Sequence, residues 1–127
     1  MTFDFTPYVR KRTLVCGGRD FTNFGLMHEV MNALGPSFVI QGGQVRYDDG
    51  FACGADFYAR EWAAAASVPF RTYYAKWQRP DGTTDRRAGF VRNGLMLSDG
   101  RPDVVVAFPG GPGTANMVTQ ARRAKVP

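Results

Sequence analysis

Histidine and cysteine are nearly missing from this 127-residue chain: His28 is the single histidine, and Cys16 and Cys53 are the two cysteines. So few ligating side chains, without metal-ligand spacing, give no zinc or iron–sulfur signature, and no metal or cofactor is expected. Two cysteines make no disulfide framework either, and in a reducing compartment they read as free thiols that are small and at least half-buried. No apolar run approaches the roughly 20 residues of a membrane span. The first dozen residues, MTFDFTPYVRKR, lack the continuous apolar core of a signal peptide. A cytoplasmic location without a membrane partner is therefore expected. Internal repeats and low-complexity segments are also lacking.

The composition is that of a globular protein, 44% hydrophobic and 13% aromatic, and 127 residues suit one domain spanning residues 1–127. The formal charge is +5, and thirteen of the sixteen basic residues are arginine. Arginine presents a planar fork of donors that matches phosphate, so an anionic partner fits this balance, as does ordinary scattering over a surface. The clusters Arg10-Lys11-Arg12, Arg86-Arg87 and Arg122-Arg123 are short and not interleaved with aromatics as a single-strand-binding groove requires. Nucleic acid is thus a minor reading.

Glycine is abundant, and its placement is patterned. Val104, Val105, Val106, Ala107 and Phe108 form a β-branched apolar run, suited to a strand covered on both faces, that stops at Pro109-Gly110-Gly111-Pro112-Gly113 before Thr114 opens a helical pattern. The same sequence of events occurs twice more. Leu14, Val15 and Cys16 run into Gly17-Gly18-Arg19-Asp20, and Phe38, Val39 and Ile40 run into Gln41-Gly42-Gly43. In a parallel α/β sheet all strand C-termini lie at one pole, so the three glycine loops converge there. Glycines admit close backbone approach, and the positive end of a following helix favours phosphate.

Between these loops the spacing predicts strands over residues 13–16, 37–41 and 70–74, in addition to the run at 104–108. Helices are predicted between the cap-type residues at 20–23 and Gly35-Pro36, and over about 56–67, 87–97 and 114–124. Asp20 to Asn23 supply cap-type residues for the first helix, whose stripe is Met27, Val30, Met31 and Leu34, with Gly35-Pro36 as its stop. His28 lies beside this stripe and reads as a surface histidine rather than a general base. The second helix carries Tyr58, Ala59, Trp62 and Ala66 on one face. The third has Ala88, Val91, Leu95 and Met96 as its apolar side, and the last has Thr114, Met117, Val118, Ala121 and Ala124. Residues 44–53 make a long strand-to-helix connection, expected as a flap carrying Arg46, Tyr47, Asp48 and Phe51 toward a ligand, or as a mobile surface loop. Residues 76–85, including Trp77, read as loop. The alternation βαβαβαβα predicts a single Rossmann-like, three-layer α/β domain with a mostly parallel sheet in the order 3-2-1-4. The switch point then falls between the loops at 17–20 and 109–114.

With these residues in hand, the chain resembles the SLOG superfamily. This Rossmann-like group includes the LONELY GUY phosphoribohydrolases and the DNA-processing protein DprA/Smf, and the resemblance is to its bacterial and phage YspA-like, YpsA-related branch. It covers the chain from Leu14 onward. It rests on VCGGRDF at residues 15–21, Gly42-Gly43 with Gly54-Ala55-Asp56, AGFVRNGLM at 88–96, and DVVVAFPGGPGT at 103–114. The resemblance implies a pocket for a nucleotide or nucleotide-derived molecule at the strand C-termini. In the LONELY GUY enzymes a PGG-x-GT-x-x-E motif binds phosphate and supplies a catalytic glutamate, with an arginine from an R-K-x-x-M-like helix assisting. Arg92, Asn93 and Met96 resemble the second motif. The first departs at the glutamate, where this chain has Met117, a thioether that carries neither charge nor proton. The connection at 44–53 is longer than relatives carry, and they continue past Pro127 into a further strand, whose lack leaves a sheet edge open to pairing and a homo-oligomer.

Three functions remain in contention. The first is capture or sensing of a nucleotide-derived ligand, with Gly110, Gly111, Gly113 and Thr114 after Pro109 on phosphate and Gly17, Gly18 and Arg19 opposite. Gly42, Gly43 and Gly54 complete the glycine wall, and Asp56, Arg92 and Asn93 supply its polar groups. The second is an N-glycosidase or nucleotide phosphoribohydrolase with Asp20 or Asp56 as replacement carboxylate and Arg92 on the phosphate. Both carboxylates also have structural readings, Asp20 as a helix cap and Asp56 as a first-turn acid. The third, single-stranded DNA binding in the manner of DprA, rests on charge alone.

Overall fold

A computed structural model describes residues 5–46 and 49–127. A 3-10 turn at Thr6–Tyr8 precedes the alternating series β1 (Arg12–Cys16), α1 (Phe24–Leu34), β2 (Phe38–Gln41) and α2 (Gly54–Ala65). It continues as β3 (Phe70–Thr72), α3 (Ala88–Ser98), β4 (Val104–Ala107) and α4 (Pro112–Arg123). The described strands form one parallel sheet in the order β3-β2-β1-β4. Leu14 sits centrally, opposite Ile40 on one side and Val105 on the other.

Side-chain alternation along the strands divides the core into two layers. Val15 and Val39 face α1 and α2, where they meet Met27, Val30, Met31, Leu34, Ala59 and Trp62. Leu14, Cys16 and Ile40 face the opposite way, onto Met96 of α3 and Met117 of α4. This division follows from handedness. Right-handed crossovers stepping from β1 to β2 to β3 place α1 and α2 on one face, and the return to β4 on the far side of β1 places α3 on the other. The winding reverses between β1 and β4, which sends the helices that follow them to opposite faces of the sheet and opens a crevice at their C-terminal ends.

Local chemistry fixes the helix ends. Asn23 caps α1 by accepting from the Leu26 N–H at 3.0 Å, and Gly35 closes it with φ 51° and an N–H donated to the Met31 carbonyl. Asp20 takes no part in that cap and lies exposed in the preceding turn. Trp62 donates its indole N–H to Asn32 at 2.9 Å, tying α2 to α1.

Several details differ from the sequence-based expectation. Helix α2 begins at Gly54 instead of Asp56 and ends at Ala65, so Ala66 is exposed and Ala63 takes the buried place. Ala124 likewise lies beyond α4 and is exposed. Strand β3 stops at Thr72, leaving Tyr73 and Tyr74 outside it. β4 is an edge strand, with Val105 and Val106 half-buried and Ala107 exposed, instead of a strand covered throughout. Its outer edge is partly occupied, because the Val105 N–H donates to the Pro127 carbonyl at 2.8 Å. Val91 and Leu95 of α3 are 63% and 51% exposed, while Ala88, Gly89, Asn93 and Met96 face inward. The helix is rotated relative to its most apolar stripe.

Candidate functional site

The loops after β1 and β4 touch directly. The Gly18 N–H donates to the Pro109 carbonyl at 2.9 Å, and a Cβ on Gly18 would stand 3.1 Å from both that oxygen and the Gly110 Cα. The Gly18 carbonyl in turn accepts from the N–H groups of Phe21 and Ala55, each at 3.2 Å, so the loop is also pinned to the start of α2. Gly17 packs against Ala55 and Phe108, Gly54 against the Gly18 carbonyl, and Gly110 beneath the Thr114 hydroxyl. These four glycines hold three loops together by backbone contact, a role separate from any ligand.

Gly111 and Gly113 behave differently. They flank Pro112 at the first turn of α4, no side chain caps that turn, and a Cβ on either would meet nothing within 4 Å. The turn is therefore sterically open at both glycines, and its N–H groups have no capping side chain. Asn93, 4% exposed, braces it by donating Nδ2 to the Gly113 carbonyl at 3.1 Å and to Asn116 Oδ1 at 3.2 Å. This explains the rotation of α3: its polar residue, not its apolar stripe, is turned to α4.

Arg92 and Asp56 meet over Gly42. A Cβ at Gly42 would collide with the Arg92 guanidinium and lie 3.0 Å from Asp56 Oδ2, so only glycine leaves room for both charged groups beside β2. Arg92 Nη1 donates to the carbonyls of Gly42 and Tyr73, and Nε to Asn93 Oδ1 at 3.1 Å. Nη2 makes no hydrogen bond among the described residues. The bidentate fork expected for a ligand is thus largely committed to protein, leaving one nitrogen. Asp56 is 4% exposed and accepts the Gln44 N–H at 3.2 Å. Burial raises its pKa to about 6 against the opposing pull of Arg92, the Gln44 and Gly42 amides and Arg19. Burial, then Asp56, pushes the neighbouring Cys16 thiol up to about 12, while Arg92 pulls it down, so Cys16 is a poor nucleophile.

These groups line two adjoining cavities. The inner one, about 280 Å³, lies between α3 and the start of α4 and is bounded by Gly17, Gly18 and Arg19, by Asp56, Arg92 and Asn93, and by Gly111, Gly113 and Thr114. The outer one, about 1010 Å³, opens on the α1 side and is bounded by Gly18, Arg19, Asp20, Pro109, Gly110 and Gly111. Asp56 and Asp20 therefore belong to different cavities, and Asp20 is exposed in the outer one. Gly42 and Gly43 bound neither and act from beneath, Gly43 packing under Thr72 and Tyr74 with φ 64°.

No family model, curated protein or solved structure matches this chain.

In the connection at 44–53, residues 44–46 and 51–53 pair as the base of a hairpin. Val45 and Ala52 form an antiparallel bridge, the Arg46 N–H donates to the Phe51 carbonyl at 2.9 Å, and the Cys53 N–H closes the base on the Gln44 carbonyl at 3.1 Å. Arg46 reaches the outer cavity while paired with Asp49 at 2.9 Å, and Phe51 is 66% exposed. Tyr47 and Asp48 lie outside the described residues. Gln44 donates Nε2 to the Gly17 carbonyl at 2.6 Å, and Arg19 donates Nε to the Val45 carbonyl at 3.0 Å, so the hairpin base is fastened to the β1 loop. Gln44 lines the inner cavity, as do Trp77, Arg86 and Phe90. None of these was singled out from the sequence as a site residue. An aromatic and a basic residue in an aperiodic stretch carry no spacing signal until that stretch is seen to fold back.

Proposed function

We propose that the protein binds a nucleotide or nucleotide-derived ligand at the C-terminal pole of its sheet, as a capture or sensor module of the SLOG kind. The observation that carries this reading is the first turn of α4, open at Gly111 and Gly113, facing the cavity that the Arg92 guanidinium also lines. Uncapped N–H groups at the positive end of a helix, together with a half-buried guanidinium, make a seat for phosphate. Titration calorimetry with inorganic phosphate and nucleoside phosphates tests it, using Gly111→Val as the blocking variant. A Cβ there meets nothing within 4 Å, so the fold is expected to persist, checked by circular dichroism, while the branched group is expected to obstruct the phosphate seat. Equal nucleotide affinity in variant and parent would place the site elsewhere.

One observation favours a second reading, N-glycosidic hydrolysis, and favours it through Asp56 rather than Asp20. Asp56 is buried in the inner cavity with a pKa near 6, a value suited to general acid–base work at neutral pH. Met117, at the position of the LONELY GUY glutamate, is fully buried against Leu14, Ile40 and Met96, which makes it a packing residue. Chromatography of nucleoside monophosphates incubated with the protein separates the readings. Free base released by the parent and lost in Asp56→Asn would move the protein to the hydrolases.

A further inference from the structure

The inner cavity has a wall that phosphate binding does not use. After β3 the chain folds back on itself: the Asp85 N–H donates to the Trp77 carbonyl at 2.6 Å, Gln78 bridges to Thr84, and the Arg79 N–H reaches the Thr83 carbonyl at 2.8 Å. That closure delivers Trp77 and Arg86 to the start of α3. The benzo edge of the indole rests on Gly89, where a Cβ would stand 3.1 Å from Cη2, so glycine lets the ring lie close to the helix. Phe90 follows directly. Trp77 and Phe90 remain 38% and 46% exposed, and both line the cavity. The Arg86 guanidinium beside them has no hydrogen bond or ion pair among the described residues.

We propose that Trp77 and Phe90 form a stacking subsite for the nucleobase of a single nucleotide whose phosphate sits at the start of α4. This rests on the phosphate reading above and adds the other end of the ligand. Part-exposed aromatic rings in a cavity wall are what a flat π-system needs, and stacking tolerates any base because every base has a π-face. An unpaired guanidinium at the same wall adds attraction for the ligand's negative charge. Size narrows the class further. A cavity of about 280 Å³ is at the lower end of small-ligand sites and suits one base, sugar and phosphate, whereas a dinucleotide would have to spill into the outer cavity.

Ribose 5-phosphate and the four common nucleoside monophosphates make the decisive comparison, because they share the phosphate end and differ in the ring. For the parent protein, calorimetry is expected to give at least one monophosphate an affinity about tenfold above that of ribose 5-phosphate. Trp77→Ala should erase that gap by weakening the nucleotide alone, and Trp77→Phe should retain most of it. In a Trp62→Phe background, where Trp77 is the remaining tryptophan, the preferred nucleotide should quench indole fluorescence and ribose 5-phosphate should not. Equal affinity for all five compounds overturns the stacking subsite and leaves the phosphate seat standing. The subsite is also overturned if Trp77→Ala weakens nucleotide and ribose 5-phosphate alike, since the indole would then be acting only on the fold. Failure of the parent to bind any of the five overturns both readings. If Trp77→Ala does not fold, the fluorescence and Trp77→Phe measurements decide.

Discussion

Replacing Asp56 by asparagine should make the protein more stable at neutral pH and change how its stability depends on pH. Asp56 is 4% exposed, and burial raises its pKa from 3.8 to about 6 despite Arg92 and two backbone amides. Because the folded state holds this proton more tightly than the unfolded chain does, the group's stabilising contribution is complete below about pH 4 and lost as pH rises through 6. The difference between the two pKa values corresponds to about 3 kcal/mol. Asparagine keeps the shape and an acceptor for the Gln44 N–H but never ionises. Urea denaturation of parent and Asp56→Asn across about pH 4 to 8 measures this directly. Subtracting the two curves cancels Asp49, Asp81 and Asp99, whose pKa values are lowered and whose contributions therefore run the opposite way, fading as pH falls. The difference should rise by about 2 to 3 kcal/mol in favour of the variant between the acidic and neutral ends. A flat difference, or one favouring the parent at neutral pH, would refute the reasoning and make Asp56 a carboxylate stabilised in place by Arg92.

Two further outcomes are expected. Met117→Glu puts a carboxylate where the side chain is fully buried among apolar groups, so it should cost about 3 to 5 kcal/mol by chemical denaturation and yield no release of free base. Arg92→Lys keeps the charge but loses the geometry by which Nε and Nη1 hold Asn93 and the Gly42 carbonyl. It should lower stability by about 1 to 3 kcal/mol and weaken nucleotide binding measured at a temperature where the variant is folded, and unchanged affinity would restrict Arg92 to a structural role.

The strand order was legible because three apolar runs each break into glycines, and a parallel sheet admits few ways to connect them. The burial of Met117 was legible from periodicity, and the α1 cap only as the segment 20–23, in which Asn23 rather than Asp20 fills the role. The orientation of α3 was not. Periodicity ranks faces by apolarity, and Val91 and Leu95 outrank Asn93, yet the hydrogen bonds that Asn93 makes to α4 turn the helix the other way. Arg92 illustrates a related limit. A motif places an arginine near a pocket but does not say how many of its donors the surrounding carbonyls have already taken. Trp77 and Arg86 were hidden more completely, because their placement depends on one backbone closure between Trp77 and Asp85 across an aperiodic stretch.

The backbone bond between Gln44 and Cys53 has a consequence for how this protein could diversify. The two ends of the hairpin are already joined at its base, so the chain between them can be lengthened, shortened or rewritten with little effect on the sheet. Each doubling of a flexible insert costs only about 0.6 kcal/mol of closure entropy. The inner cavity takes only Gln44, at the joined base, from this connection and would keep its shape through such changes, whereas the outer cavity would exchange Arg46 for whatever the new segment carried. One scaffold could thus retain its inner chamber while its outer chamber was refitted for a different partner.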